Sequence, residues 1–408
     1  MKPLGPIPKE FSSKNGILAI DDKDVRELVE AAGGTPLFLY SRKLIADRIA
    51  GLRAALPARI KLHYAVKANP FSPIVRVMSE FVDGFDVASG GELQKLLQVQ
   101  IDPRSISFAG PGKRDAELAA AIGAGVTLNL ESEVEADRAL RIAEGLGITP
   151  RLAIRVNPDF SIKGSGMKMG GGAKPFGLDA ERVPALVRRV IGAGAEWCGF
   201  HIFAGSQAIS ADDIIETQAQ TLALAARLAA ESGVALPHLN LGGGFGIPYF
   251  PGDIPLDITA VGAALAARMA DLPYELAATE FCLELGRYLV GEAGVYLTTV
   301  IDRKVSHGEV FLICDGGMHH QLAASGNFGT VVRRNYPVAI ATRFTAPVEE
   351  EASVVGCLCT PLDRLAEKAG FPRAEPGDIV AVFCAGAYGA TASPMHFLGQ
   401  GPATEMLV

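Results

Sequence analysis

The 408-residue chain has no excess of positive charge, no apolar leader and no cysteine framework, and each absence removes a class of function. With 38 Lys and Arg against 45 Asp and Glu, its net charge is -7. No cluster of basic residues stands out, so a nucleic-acid or anionic-membrane surface is not expected. The first residues, Met1 to Phe11, are broken by three prolines and hold no apolar run. Neither a secretory signal nor a membrane anchor is read there, and a cytoplasmic location is the expectation. The six cysteines (Cys198, Cys282, Cys314, Cys357, Cys359, Cys384) sit mostly inside apolar strand-like runs, which suits reduced, buried thiols, Cys359 being the exception. Cys357-Leu-Cys359 lacks the two-residue spacing of a zinc knuckle and has no second pair, and His319-His320 does not supply one. No metal is expected. There is also no internal repeat and no low-complexity tract. Small-molecule chemistry is what these exclusions leave.

What is present is a long alternation. Eight β-like runs, Lys61–Val66, Phe85–Ala88, Ser105–Ala109, Val126–Leu130, Leu152–Val156, Gly199–Phe203, His238–Leu241 and Phe281–Leu285, are separated by helical patterns. In Asp179–Ile191, for example, Val183, Leu186, Val187 and Val190 share one side, and Ala211–Ala230 is rich in strong helix formers. Eight strand–helix repeats in about 250 residues predict a (β/α)8 barrel of the TIM type. A doubly wound open sheet would place its glycine loop after the first strand, whereas Gly242-Gly243-Gly244 follows the seventh. Beyond Arg287 the helical period fades into short β-rich runs, Glu309–Cys314, Ala352–Cys359 and Asp378–Cys384. The expected organisation is an N-terminal segment (1–36), with strand Ile17–Ile20 and a helix capped near Asp21 or Asp22. It packs with a C-terminal, mainly-β domain (286–408), and the barrel occupies 37–285. Ser161–Gly172 is a glycine-rich loop on the barrel rim, a lid or a plain solvent loop.

Active sites of such barrels lie at the C-terminal ends of the strands. Lys67 follows the first strand, Asp86 ends the second, Arg155 the fifth, His201 and Phe203 the sixth, and Glu284 the eighth. The glycine run and Ser206 join that rim. A lysine at an apolar strand mouth favours its neutral amine and is expected to form a Schiff base. Glycines let backbone amides approach a phosphate ester, and Ser206, Arg287 and Tyr388 add a hydroxyl, a charge and a phenol. A carboxylate such as Glu284 keeps a pyridine nitrogen protonated, which lets the ring accept an electron pair. The set matches the needs of a phosphorylated aldehyde cofactor.

These residues stand in His63-Tyr-Ala-Val-Lys-Ala-Asn-Pro70, Gly84-Phe-Asp-Val-Ala-Ser-Gly-Gly-Glu-Leu93, Leu241-Gly-Gly-Gly-Phe-Gly-Ile-Pro-Tyr249, Glu284-Leu-Gly-Arg287, Cys359 with Asp363, and Gly386-Ala-Tyr-Gly389. Together the motifs resemble the fold-type III pyridoxal-phosphate decarboxylases that act on diaminopimelate, ornithine and arginine. Gly164–Gly172, His201–Gln207 and Gly389–Pro394 look most like the diaminopimelate-decarboxylase-like enzymes associated with exosortase gene clusters. The resemblance implies pyridoxal 5'-phosphate bound covalently by Lys67, its ring nitrogen paired with Glu284. Its phosphate would be held by Gly242, Gly243, Gly244, Ser206, Arg287 and Tyr388. Asp86, Glu92 and Arg155 would support it. Cys359 would come from the partner subunit of a homodimer and protonate the substrate carbon after carbon dioxide leaves.

Three positions depart from that family pattern. Phe203 stands where a histidine stacks on the ring, with His201 matching an earlier position, and Thr360 replaces the acid that grips a distal amine. Ala323 stands where an arginine reads a distal carboxylate. The expected substrate is therefore an amino acid, free or linked to a carrier protein, whose far end is masked as an ester, amide or thioester. Thr360, Asp363, His319, His320 and Arg333, with Arg334, are candidate contacts in loops where such side chains are usually solvated. A racemase of the same fold would place arginine at the ring nitrogen, so Glu284 favours decarboxylation.

Overall fold

The computed structural model describes residues 1–160, 167–168, 170–326 and 333–408. Most of the glycine-rich loop expected over 161–172 lies outside them. The chain divides into two compact units. One comprises Ile49–Gly246 with Leu256–Gly286, and the other Met1–Arg48, Ile247–Pro255 and Arg287–Val408.

The first unit is built on eight parallel strands: β1 (Ile60–Ala65), β2 (Gly84–Val87), β3 (Ile106–Phe108), β4 (Thr127–Leu130), β5 (Arg151–Asn157), β6 (Glu196–Ile202), β7 (His238–Gly243) and β8 (Glu280–Leu285). Each pairs with the next, and β8 returns to β1 with Glu284 opposite His63, so the sheet closes into a barrel. The expected runs fall within a few residues of these strands because the apolar residues of a strand buried on both faces carry the signal. Between strands, helices start on side-chain caps. Ser89 accepts from the Glu92 amide, Ser132 from Glu135 and Ser210 from Asp213. Helices Asp115–Ala124, Glu133–Leu146 and Ala211–Ser232 end at glycines 125, 147 and 233 in the left-handed conformation. Helix Val183–Gly192 buries Val183, Leu186, Val187 and Val190, as its periodicity predicts. Each such side chain contributes about 1.5–3 kcal/mol on burial, so a charge at Leu186 would cost the helix its seat.

The second unit holds a mixed sheet around the long strand Gly294–Ser306, which pairs antiparallel with Glu309–Cys314, Ile379–Val382 and Leu37–Tyr40. Leu37–Tyr40, counted from sequence with the barrel range, therefore belongs to this sheet, where Thr404–Leu407 also pairs with it. An all-buried apolar strand does not disclose which sheet takes it. Phe11, Leu18, Val25 and Leu28 pack in one core with Leu37, Val295, Ile379 and Phe383, which joins the N-terminal segment to this unit. Its helix, Val25–Ala31, is capped by Asp24 instead of Asp21 or Asp22. Those two lie at φ +48° and +62°, in a turn, and Asp21 accepts from the Ser41 hydroxyl. No helix among the described residues is long and apolar enough to cross a membrane.

Candidate active site

Lys67 lies in a short 3-10 turn, Val66–Ala68, immediately after β1. Its Nζ is 3.3 Å from Glu284 Oε1 and 5.3 Å from the centre of the Phe203 ring. The apolar strand mouth expected from sequence is thus an ion pair, and Lys67 remains 42% exposed. Glu284, near the end of β8, is buried, and its Oε2 lies 2.9 Å from His201 Nε2 on β6. Burial alone would raise the Glu284 carboxyl, but Lys67, the His201 hydrogen bond and Arg155 outweigh it and hold the group well below the usual carboxylate range. A buried carboxylate that stays ionised is what a protonated ring nitrogen requires.

Around this pair stand the other rim residues. Arg155 donates to Glu131 at 2.9 Å, and Glu131 also accepts from the amides of Gly110 and Gly177. Asp86 Oδ2 is 3.1 Å from His63 Nδ1, while its Oδ1 is buried without a partner. Glu92 accepts from the Ala88 amide, and burial pushes its carboxyl up. At the end of β7, Gly242 and Gly244 adopt φ +70° and +74°. A Cβ on Gly243 would come within 2.0 Å of the Glu284 carbonyl, and one on Gly244 within 2.1 Å of the Gly205 carbonyl, beside Ser206. Only glycine fits this packed backbone cradle. Asn240 tightens it by accepting from the Gly242 amide at 2.8 Å.

Deeper in the same barrel, donor atoms of His63, His238 and Cys282 lie within 4.8 Å of one another, a grouping that their spacing along the chain conceals. Burial pushes the Cys282 thiol up, and burial with the neighbouring His63 holds His238 down to about 3. Against its burial, His63 is pushed well above the usual histidine range by Cys282 and Asp86, so of the two neighbouring imidazoles His63 holds a proton while His238 stays neutral.

In the second unit, Arg287 donates to the Tyr249 hydroxyl at 2.8 Å, and its guanidinium lies 4.8 Å from the Tyr388 ring centre. Its Nε is buried without a partner. Burial pushes the Tyr249 phenol up to about 12, against the pull of Arg287, so it remains a neutral partner. Tyr249 closes the glycine-loop motif, and nothing in the sequence around it signals this role. Asn240 and Glu131 were missed outright, since neither carries a local signal.

The candidate substrate residues also lie in this unit. Cys359 is exposed, and Thr360 is half-buried. Asp363 is buried, and its two oxygens accept from the amides of Met318 (2.6 Å) and Leu358 (2.9 Å), so it works as a staple between two loops. Burial pushes its carboxyl up, with those amides opposing. His319 and His320, both candidate substrate contacts, are buried. His320 is spent on the Tyr296 hydroxyl and the Gly401 carbonyl, whereas neither ring nitrogen of His319 has a partner. Arg333 donates to the Arg364 carbonyl, and Arg334 stacks on Phe250.

A lysine amine beside a buried ionised acid, with a glycine cradle at the end of a neighbouring strand, fits pyridoxal 5'-phosphate. The barrel and the residues on its rim define a pyridoxal-phosphate enzyme. Residues 42–291 match the family model of the pyridoxal-dependent decarboxylases, pyridoxal binding domain. The chain is 36% identical to the L-glutamyl-[BtrI acyl-carrier protein] decarboxylase of Niallia circulans over 91% of its own length and 88% of the relative's. It is 31% identical to the diaminopimelate decarboxylase of Methanothermobacter thermautotrophicus over 96% and 91% of the two chains. The crystal structure of diaminopimelate decarboxylase from M. jannaschii superposes with a TM-score of 0.86 at 26% identity, covering 97% of this chain and 92% of that one. The chain belongs to the pyridoxal-dependent decarboxylases related to those acting on diaminopimelate, ornithine and arginine. It is a carboxy-lyase, and its cofactor is pyridoxal 5'-phosphate.

Proposed function

We propose that this enzyme removes the α-carboxylate of an amino acid whose far end is masked, as in a carrier-linked acyl thioester, and that it stands with the exosortase-associated branch of its family. The observation that carries the reading is the uncharged pair Thr360 and Ala323, at the two positions where a diaminopimelate decarboxylase would read a distal ammonium and carboxylate. A hydroxyl and a methyl supply no charge-assisted bond, so a free zwitterionic end would lose its hydration without return. The carrier-linked specificity in the name of the Niallia circulans relative agrees with this.

Bound pyridoxal phosphate supplies an electron sink for the pair released when the bond to the carboxylate breaks. Lys67 would hold the cofactor through its side-chain amine. Glu284, oriented by His201, keeps a positive charge on the ring nitrogen. Phe203 offers an aromatic face, in place of a histidine, on which a flat ring can stack. The glycine cradle, Ser206, Arg287 and Tyr388 hold the phosphate, with Asp86 and Arg155 in support. Cys359, exposed on its loop, returns a proton to the α-carbon, and it does so across the interface of a homodimer in the cytoplasm.

Carbon dioxide release from meso-diaminopimelate, lysine, ornithine, arginine and carrier-linked glutamate tests the reading. The linked substrate is expected to turn over fastest; rapid turnover of free diaminopimelate overturns the masked-end assignment.

A further inference from the structure

Barrel interiors are ordinarily filled by layers of branched aliphatic side chains. Here His63 on β1, His238 at the start of β7 and Cys282 on β8 instead bring two imidazoles and a thiol within 4.8 Å of one another. The two rings stack with their centres 5.9 Å apart. Strands β7, β8 and β1 are consecutive around the barrel, and β8 with β1 forms the seam at which the sheet closes. The trio spans that seam, and all of it lies within the first unit.

The surroundings of the trio say what it can hold. His63 Nδ1 is 3.1 Å from Asp86 Oδ2, which leaves Nε2 as the ring's open coordinating nitrogen. A carboxylate behind an imidazole is the arrangement that fixes the orientation of a metal-bound histidine. Only glycine at position 84 leaves room for that ring, since a Cβ there would come within 2.6 Å of Nε2. The other oxygen of Asp86 is buried without a hydrogen-bond partner. Solvent reaches the group: the His63 side chain keeps 12% of its surface, His238 is half-buried, and Glu280, opposite His238 in register, is exposed. Glu280 begins β8, so this approach is from the barrel end away from Lys67.

We propose that His63, His238 and Cys282 form a zinc site that ties β7 and β8 to β1, with water as the fourth ligand. Thiolate and imidazole are the donors this ion takes. A tetrahedral ion with bonds of about 2.0–2.3 Å sets its donors about 3.3–3.6 Å apart, so from within 4.8 Å each donor moves about 1 Å or less. Without the ion the three side chains keep the protonation described above. Binding displaces the Cys282 thiol proton and the proton His63 holds against Asp86, and both leave to solvent. The open oxygen of Asp86 is then an acceptor for the metal-bound water. Cys282 stands two residues before Glu284 on β8, so the tie steadies the strand that presents the cofactor's acid. The site does not depend on which amino acid the enzyme decarboxylates.

The test titrates purified holoenzyme with cobalt(II), a spectroscopic stand-in for zinc. A single equivalent is expected to produce the ligand-field bands of a tetrahedral site, at longer wavelengths than the cofactor absorbs, and zinc is expected to remove them. Cys282→Ala and His238→Gln should lose the bands and weaken zinc binding about 100-fold or more, since loss of a supporting carboxylate alone costs about 10- to 100-fold. Cys359→Ser should keep both. Zinc should raise the thermal midpoint of the parent by about 3 °C or more and leave that of Cys282→Ala unmoved. No uptake, an octahedral cobalt spectrum, or bands that survive Cys282→Ala would overturn the proposal. Should the variants fail to fold, X-ray absorption of the zinc-loaded parent decides. One sulfur with imidazole neighbours supports the site, and two sulfurs, as Cys357 with Cys359 would give, or none, refutes it.

Discussion

Lys67 Nζ lies 3.3 Å from one oxygen of Glu284, and His201 Nε2 lies 2.9 Å from the other, so a single buried carboxylate joins the ends of three barrel strands. The amine that carries the cofactor and the acid that polarises it are therefore set against each other by strand pairing, with β8 beside β1.

Glu284→Gln keeps the shape and removes the charge. The neutral amide cannot hold a ring nitrogen protonated, so carbon dioxide release is expected to slow about 100-fold or more, by the usual worth of a preorganised electrostatic partner. The cofactor's visible absorbance should persist, because Lys67 is untouched. An unchanged kcat in the variant would remove Glu284 from the chemistry.

Tyr249→Phe deletes the 2.8 Å bond to the buried Arg287 and little else. Leaving that guanidinium short of a partner costs about 1–3 kcal/mol. Cofactor titration of the stripped protein is expected to show affinity weakened about 10-fold or more. Identical titration curves for variant and parent would exclude an organising role for the phenol.

Acid should destabilise the fold before ordinary carboxylates titrate. His238 is held to about 3 and His319 to about 4, both from 6.5, by burial and neighbouring positive charge. An unfolded chain takes up those protons near 6.5, whereas the folded one refuses them. The contribution of these two histidines is therefore complete above pH 6.5 and is lost as pH falls from there toward about 4 and then 3. Glu284, held below its ordinary range, adds loss in the same direction at lower pH. Denaturant midpoints measured down this range should fall, and His238→Gln should flatten the slope; midpoints that rise with acid would contradict the assignment.

The barrel was legible because its evidence is local. Each strand carries its own run of apolar residues and each helix its own stripe, so the positions of Lys67, Glu284 and the glycine cradle on one rim follow from counting strands. Partner choice is not local. Glu131 meets Arg155 24 positions along the chain, Tyr249 meets Arg287 38 positions along, and Asp363 meets Met318 45 positions back. No periodicity announces those pairs. Leu37–Tyr40 reads as a strand from its residues alone, but which sheet accepts it depends on edges formed by Gly294–Leu297 and Thr404–Leu407. His319 makes the division plainest: a histidine in a glycine-flanked loop looks solvated in one dimension. Only the packing of loops from distant parts of the chain buries it with both nitrogens unspent. Sequence determines which chemistry-bearing residues stand at the strand ends, because side-chain patterning specifies elements. Tertiary structure decides which of them are charged, paired or left open, because burial and neighbours set the cost of each state.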